Sequence, residues 1–183
     1  MERNLIAEIA MATVARWAEW ELPIAIYPLC QRMGIGLKLY DPKDNNDGYS
    51  TILLWRPYIF VSSQSKLERQ RFTAAHELGH ILLGHVGEWI TADGIHIKGN
   101  RNRDIEWEAN AFAAELLMPS RVLIALGVNT VEEIMRLCDV GYSTARRRLK
   151  ELRRRRKNST PFSRTEQFVC FLFADYIERM KKQ

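Results

Sequence analysis

Apolar positions recur at helical spacing over most of this chain and alternate only between residues 35 and 62, which predicts a small sheet set among helices. Over residues 4–19, Ile6, Ile9, Ala10, Thr13, Val14 and Trp17 fall on one side, as in an amphipathic helix. Pro23 interrupts, and residues 24–33 read as a second, short helix ended by Gly34. Residues 35–40 alternate as a strand and 41–48 are rich in turn formers. Residues 51–55 and 58–62 read as two more strands flanking Arg56-Pro57, paired antiparallel. Helices are expected from near Ser65 and over 104–119, with a loop or hairpin at 87–103 between them. A short helix from Ser120 to Leu126 stops at Gly127, and Thr130 with Glu133 makes a capping box opening a helix to about Cys138. Ser143 is expected to cap the next helix, and Ser163 with Glu166 to cap a last one reaching about Met180. The apolar residues of that last helix surround its axis, so it needs a partner surface on the core or on another chain.

The chemistry concentrates in Phe72-Thr-Ala-Ala-His76-Glu77-Leu78-Gly79-His80. Residues four apart share a helix face, so His76 and His80 can reach one metal ion. Glu77 is near enough to act as a base on water at that ion without ligating it. Leu78, Ile81, Leu82 and Leu83 point in nearly every direction, so this half of the helix should be buried and its polar groups need partners. The plain alternative is a pair of satisfied core histidines. Against it, the chain has only four histidines, and two fall at ligand spacing around a glutamate.

A third ligand is offered in Asp104-Ile-Glu106-Trp-Glu108-Ala109-Asn110 and the residues that follow. Glu106, Ala109, Asn110, Ala113, Ala114 and Leu117 form one helical stripe, and its alanines permit close approach of a second helix. Glu108 lies about 200° round the axis from Glu106. It is expected with Glu115 on a solvated face, which leaves Glu106 as the ligand candidate. Asn110 is placed to accept a hydrogen bond from a ligand imidazole N–H and so fix its tautomer. His85 and His96 are open to two readings. Either donates a proton or steadies an oxyanion, or His96 is exposed and His85 structural, which is the plainer account.

With 183 residues the chain has room for one substantial core, or a core and a small appendage. Three widely spaced cysteines, Cys30, Cys138 and Cys170, form no CxxC and suit a reducing compartment. No apolar run reaches membrane-spanning length and the first residues lack a signal-peptide pattern, so a cytoplasmic protein with no membrane partner is expected. Charge is uneven. Residues 146–157 hold nine basic side chains and one acidic, a local +8 against +5 for the whole chain, which leaves −3 elsewhere.

The two metal-ligand segments, Phe-Thr-Ala-Ala-His-Glu-Leu-Gly-His and then Glu-x-x-Ala-Asn-x-Phe-Ala-Ala-Glu-Leu-Leu-Met-Pro, together resemble the ImmA/IrrE family of metallopeptidases. The resemblance is specific over residues 72–85 and 104–119. It implies an intracellular, gluzincin-like bacterial zinc protease. One Zn2+ would be held by His76, His80 and Glu106, with Glu77 as the catalytic base. Related proteases often carry Asp at the position of Asn110. The order of a small sheet followed by a His-Glu-x-x-His helix is the zincin layout, so the expected fold is α+β. It comprises a small, mostly antiparallel three-stranded sheet on the metal helix, a second helix carrying the glutamate, and a mainly helical C-terminal part. An edge strand from residues 50–62 would pair with an extended substrate. Three regions are expected: a zincin-like core over 1–126, a helix-turn-helix-like basic segment over 127–157, and a linker with a packing helix over 158–183.

The helix after Ser143 turns Ala145, Leu149 and Leu152 inward and Arg146, Arg147, Lys150, Arg153 and Arg154 outward. Three readings of that basic face stand together: a solvated helix end favoured by the dipole, contact with nucleic-acid phosphates, or docking of an acidic partner. The function expected is a zinc-dependent endopeptidase. By the resemblance, its substrate would be a specific repressor, of helix-turn-helix type, from a mobile element or a stress regulon. The alternative is a regulatory protein with little or no turnover that binds nucleic acid or a repressor through the basic helix.

Overall fold

The structure, a computed structural model, describes residues 3–43, 46–86 and 103–182. Two helices, α1 (Arg3–Trp17) and α2 (Ile26–Arg32), precede three strands, β1 (Gly36–Tyr40), β2 (Gly48–Leu53) and β3 (Arg56–Ser62). The helices α3 (Leu67–Leu82), α4 (Arg103–Leu117), α5 (Ser120–Ala125) and α6 (Val131–Cys138) follow, and then α7 (Tyr142–Lys157), α8 (Arg164–Leu172) and α9 (Ala174–Lys181). The α+β class and the helical C-terminal part agree with the sequence reading. No helix among the described residues is long and apolar enough to cross a membrane.

The sheet corrects one expectation. Its order is β1-β3-β2, with β3 parallel to β1 and antiparallel to β2, so it is mixed rather than mostly antiparallel. The last strand inserts between the first two because it carries the sheet's buried apolar residues, Ile59 and Val61, and takes the most covered position. The hairpin turn is Leu54-Trp55 rather than Arg56-Pro57, and both residues have positive φ, which matches the twist of a two-residue hairpin. Pro57 sits inside β3 opposite Ile52, one residue before the first position that pairs with β1, so its missing N–H removes no bond on that side.

Two helix boundaries also differ. The basic helix begins at Tyr142 after Gly141, with no side-chain cap, instead of being capped by Ser143. The final helix is two pieces that meet at Phe173, a fully buried ring that locks the junction into the core. The capping boxes at Thr130/Glu133 and Ser163/Glu166 are both formed. One apolar cluster runs from Ile6 of α1 through α3, α4 and α5 to Ile177 of α9. Helix α1 packs on α4 and α8, so the end of the chain closes on its beginning.

A buried ion pair fastens α7 to this cluster. Arg148 donates to Glu115 of α4 and to the carbonyl oxygen of Met118, with the two side chains 3% and 8% exposed. Glu115 also accepts from the Ser120 N–H at 3.0 Å. Glu115 was expected on a solvated face, and α7 covers that face instead. Burial opposes the charge of Glu115, but the Arg148 guanidinium and the Ser120 N–H hold its carboxyl below the ordinary glutamate range.

A carboxyl depressed in the folded chain contributes stability above its unfolded pKa and loses it as pH falls through the folded one. Glu115→Gln should therefore make the acid limb of the unfolding free energy shallower, by up to ~1.4 kcal/mol per pH unit below about pH 4. Near neutrality it should also destabilise, by about 1–3 kcal/mol, because it leaves Arg148 with only the partly exposed Glu151, 2.9 Å away, as its counter-charge. Chemical denaturation across pH checks both.

Candidate metal centre

Helices α3 and α4 approach closely where Gly79 of α3 faces Ala109 of α4. A Cβ on Gly79 would lie 3.0 Å from the Phe112 ring and 3.3 Å from the Cα and carbonyl oxygen of Ala109. This contact sets the distance between the two histidines on α3 and Glu106 on α4.

The spacing expected of His76 and His80 is realised, since their Nε2 atoms lie 3.0 Å apart. Glu106 completes a triangle, with Oε2 at 3.3 Å from His76 Nε2 and Oε1 at 3.5 Å from His80 Nε2. Ligand atoms about 2.0–2.1 Å from a tetrahedral zinc stand roughly 3.3 Å from one another. The three edges therefore match one face of such a tetrahedron, and imidazole and carboxylate donors suit a divalent ion of this kind. Among the described residues this is the group of three donors close enough to hold a metal.

Glu77 is 1% exposed and lies on the α3 face towards the sheet. Ser50 of β2 donates to its Oε2 at 2.7 Å, a contact across 27 positions that no local pattern announces. Since β2 lies at one edge of the sheet, the strand that steadies Glu77 also borders the site. A groove runs past His76, Glu77, Glu106 and Asn110, between the start of β2 and the first turn of α7, where Ser143 and Thr144 line it.

Asn110 departs from its expected part. Its Nδ2 donates to the Glu106 carbonyl oxygen at 2.7 Å, four residues back on the same helix, and so steadies the turn bearing Glu106. The ring of His80 is met by His85, Nδ1 to Nδ1 at 3.1 Å, and His85 Nε2 stands 2.9 Å from Glu108 Oε2. Glu108 is accordingly buried, not solvated. The segment that leaves α3 covers that side of α4, and a helical wheel carries no sign of it. His96 lies outside the described residues.

A family profile described as the IrrE N-terminal-like domain matches residues 30–150. The chain belongs to the ImmA/IrrE family. Similar proteins in this family of metallopeptidases include the radiation response metalloprotease IrrE of Deinococcus deserti, 33% identical over 105 residues. That alignment covers 56% of this chain and 31% of the relative. The protein of the same name from Deinococcus radiodurans is 41% identical over 68 residues, 36% of this chain and 20% of that protein. The chain thus matches a third or less of the length of these ImmA/IrrE relatives.

The outward residues of the basic helix, Arg146, Arg147, Lys150, Arg153 and Arg154, are exposed as expected. Arg153 donates to the Asn129 carbonyl oxygen at 3.1 Å. Arg155 pairs with Glu166, and Arg156 donates to the Val128 carbonyl oxygen at 2.9 Å. With Arg148, four of the nine cations therefore make internal contacts.

Gly79→Ala tests the helix contact on which the triangle depends. Two of the three nearest atoms belong to the α4 backbone, so a methyl must push the helices apart. Overpacking of about 1–3 kcal/mol should outweigh the ~1 kcal/mol that alanine gains in helix propensity. Thermal unfolding of the metal-free protein should shift downward.

Proposed function

We propose that this chain is a zinc-dependent endopeptidase of the HExxH…E type that hydrolyses a peptide bond in a specific protein, a transcriptional repressor of a mobile element or a stress regulon. The observation that carries the reading is the three-donor triangle of His76, His80 and Glu106 beside the buried carboxylate of Glu77. The names of the relatives support metalloprotease chemistry, and the family resemblance supports the repressor as substrate. Three free cysteines, with burial pushing the Cys30 and Cys138 thiols up to about 12, suit action in the cytoplasm.

Zinc, when bound, supplies a Lewis acid that polarises the scissile carbonyl and brings the pKa of water towards neutrality. Glu77 takes the proton from the attacking water and passes it to the departing nitrogen. The Ser50 hydroxyl holds Oε2 of Glu77 and so limits rotation of that carboxylate. The outer edge of β2 offers main-chain groups to an extended peptide, which would lay the scissile bond along the groove.

A second reading rests on a different observation. Arg146, Arg147, Lys150 and Arg154 are exposed and the structure gives them no partner among the described residues. That face suits nucleic-acid phosphates or an acidic repressor, as in a regulatory binding protein with vestigial turnover. Zinc-loaded protein incubated with a proteome-derived peptide library and read by mass spectrometry separates the two. The protease reading expects defined new termini, lost by about 10²–10⁴-fold in Glu77→Gln while zinc content is unchanged. Equal cleavage by wild type and Glu77→Gln would contradict the assignment of the base. Salt-sensitive DNA binding without any cleavage would favour the second reading.

A further inference from the structure

Helix α3 stops in a way that returns its next residue beneath it. Gly84 has φ +74°, its N–H donates to the Ile81 carbonyl oxygen at 3.2 Å, and the His85 N–H donates to the His80 carbonyl oxygen at 2.8 Å. This left-handed stop carries the His85 ring back against His80, with ring centroids 5.2 Å apart. The resulting row is His80 Nδ1, then His85 Nδ1 and Nε2, then Glu108 Oε2, with separations of 3.1 and 2.9 Å. The three side chains are 2%, 8% and 8% exposed, which leaves little room for water to substitute as a partner.

The order of protons along this row follows from what each group can do. An ionised carboxylate only accepts, and a neutral imidazole has one N–H and one lone pair. Glu108 therefore receives the Nε2–H of His85, and the lone pair of His85 falls on Nδ1. That lone pair receives the Nδ1–H of His80. The remaining lone pair of His80 lies on Nε2, the atom aimed at His76 and Glu106. The reverse order would place a proton on Nε2, inside the ligand triangle, where it could not ligate. Resting on the metal-centre reading above, we propose that His85 and Glu108 are positioning residues that hold His80 in the tautomer able to bind a metal.

The test exploits a near-isosteric change. In Glu108→Gln the side chain gains an NH2 that can donate to His85 Nε2, which allows the His85 proton to move to Nδ1 and the His80 proton to Nε2. Nitrogen-15 spectra of the metal-free protein, labelled at its four histidines, report which ring nitrogen carries each proton. Wild type should show Nδ1–H at His80 and Nε2–H at His85, and the variant the opposite. Zinc affinity, measured by competition with a chromophoric chelator, should fall ~10–100-fold in the variant.

Nε2–H at His80 in the metal-free wild type overturns the proposal whether or not the variant folds. So does weakened zinc binding with an unchanged tautomer, which is what a merely structural role for Glu108 would give. Should wild type bind no zinc at all, the metal reading fails, and the spectra still decide the proton order.

Discussion

The close crossing of two helices governs this structure. His76, Glu77 and His80 share α3, so their mutual geometry follows from helical periodicity alone. Glu106 belongs to another helix and reaches them only because Gly79 and Ala109 let the two backbones approach. Much of the remaining architecture holds that crossing in place. The sheet backs α3, α1 lies against α4, and the Arg148–Glu115 pair ties α7 to the far side of α4.

What could be read from the sequence divides along the same line. Placement within one helix was legible: the pair at i and i+4, the glutamate between them, and the choice of Glu106 over Glu108 for the side facing α3. The alanine stripe also anticipated the tight crossing. What failed was the assumption that the far face of α4 is wet. Glu108 and Glu115 lie on it, and each has a buried basic or imidazole partner brought by a later or adjoining segment. Arg148 held a usable sign of this, for it sits three residues after Ala145 and four before Leu152, on the inward stripe of its helix. A cation there needs a buried acid, and Glu115 is that acid. Ser50 gave no such sign, because a strand-to-helix contact at that separation obeys no local period. Strand order was hidden for the same reason: alternation shows that strands exist, while burial of Ile59 and Val61 decides which lies in the middle.

The charge run illustrates how composition overstates a surface. Nine cations within twelve residues suggest one uniform basic face. Arg148, Arg153, Arg155 and Arg156 instead bind carboxylates or carbonyl oxygens of the chain itself. The exposed remainder begins at the turn of α7 whose Ser143 and Thr144 line the groove beside His76 and Glu106. A partner held by the exposed cations would thus stand beside that groove, which makes the basic face compatible with either functional reading.

The central claim is that the α3–α4 crossing builds a three-ligand zinc site. Its most direct test is elemental analysis, with X-ray absorption at the zinc edge, of the purified wild type beside Glu106→Ala. The account predicts one zinc per chain in wild type, with scattering from two imidazoles and oxygen, and loss of that zinc in the variant. Zinc retained at full stoichiometry and with unchanged scattering in Glu106→Ala, or no uptake by wild type supplied with zinc, would contradict it.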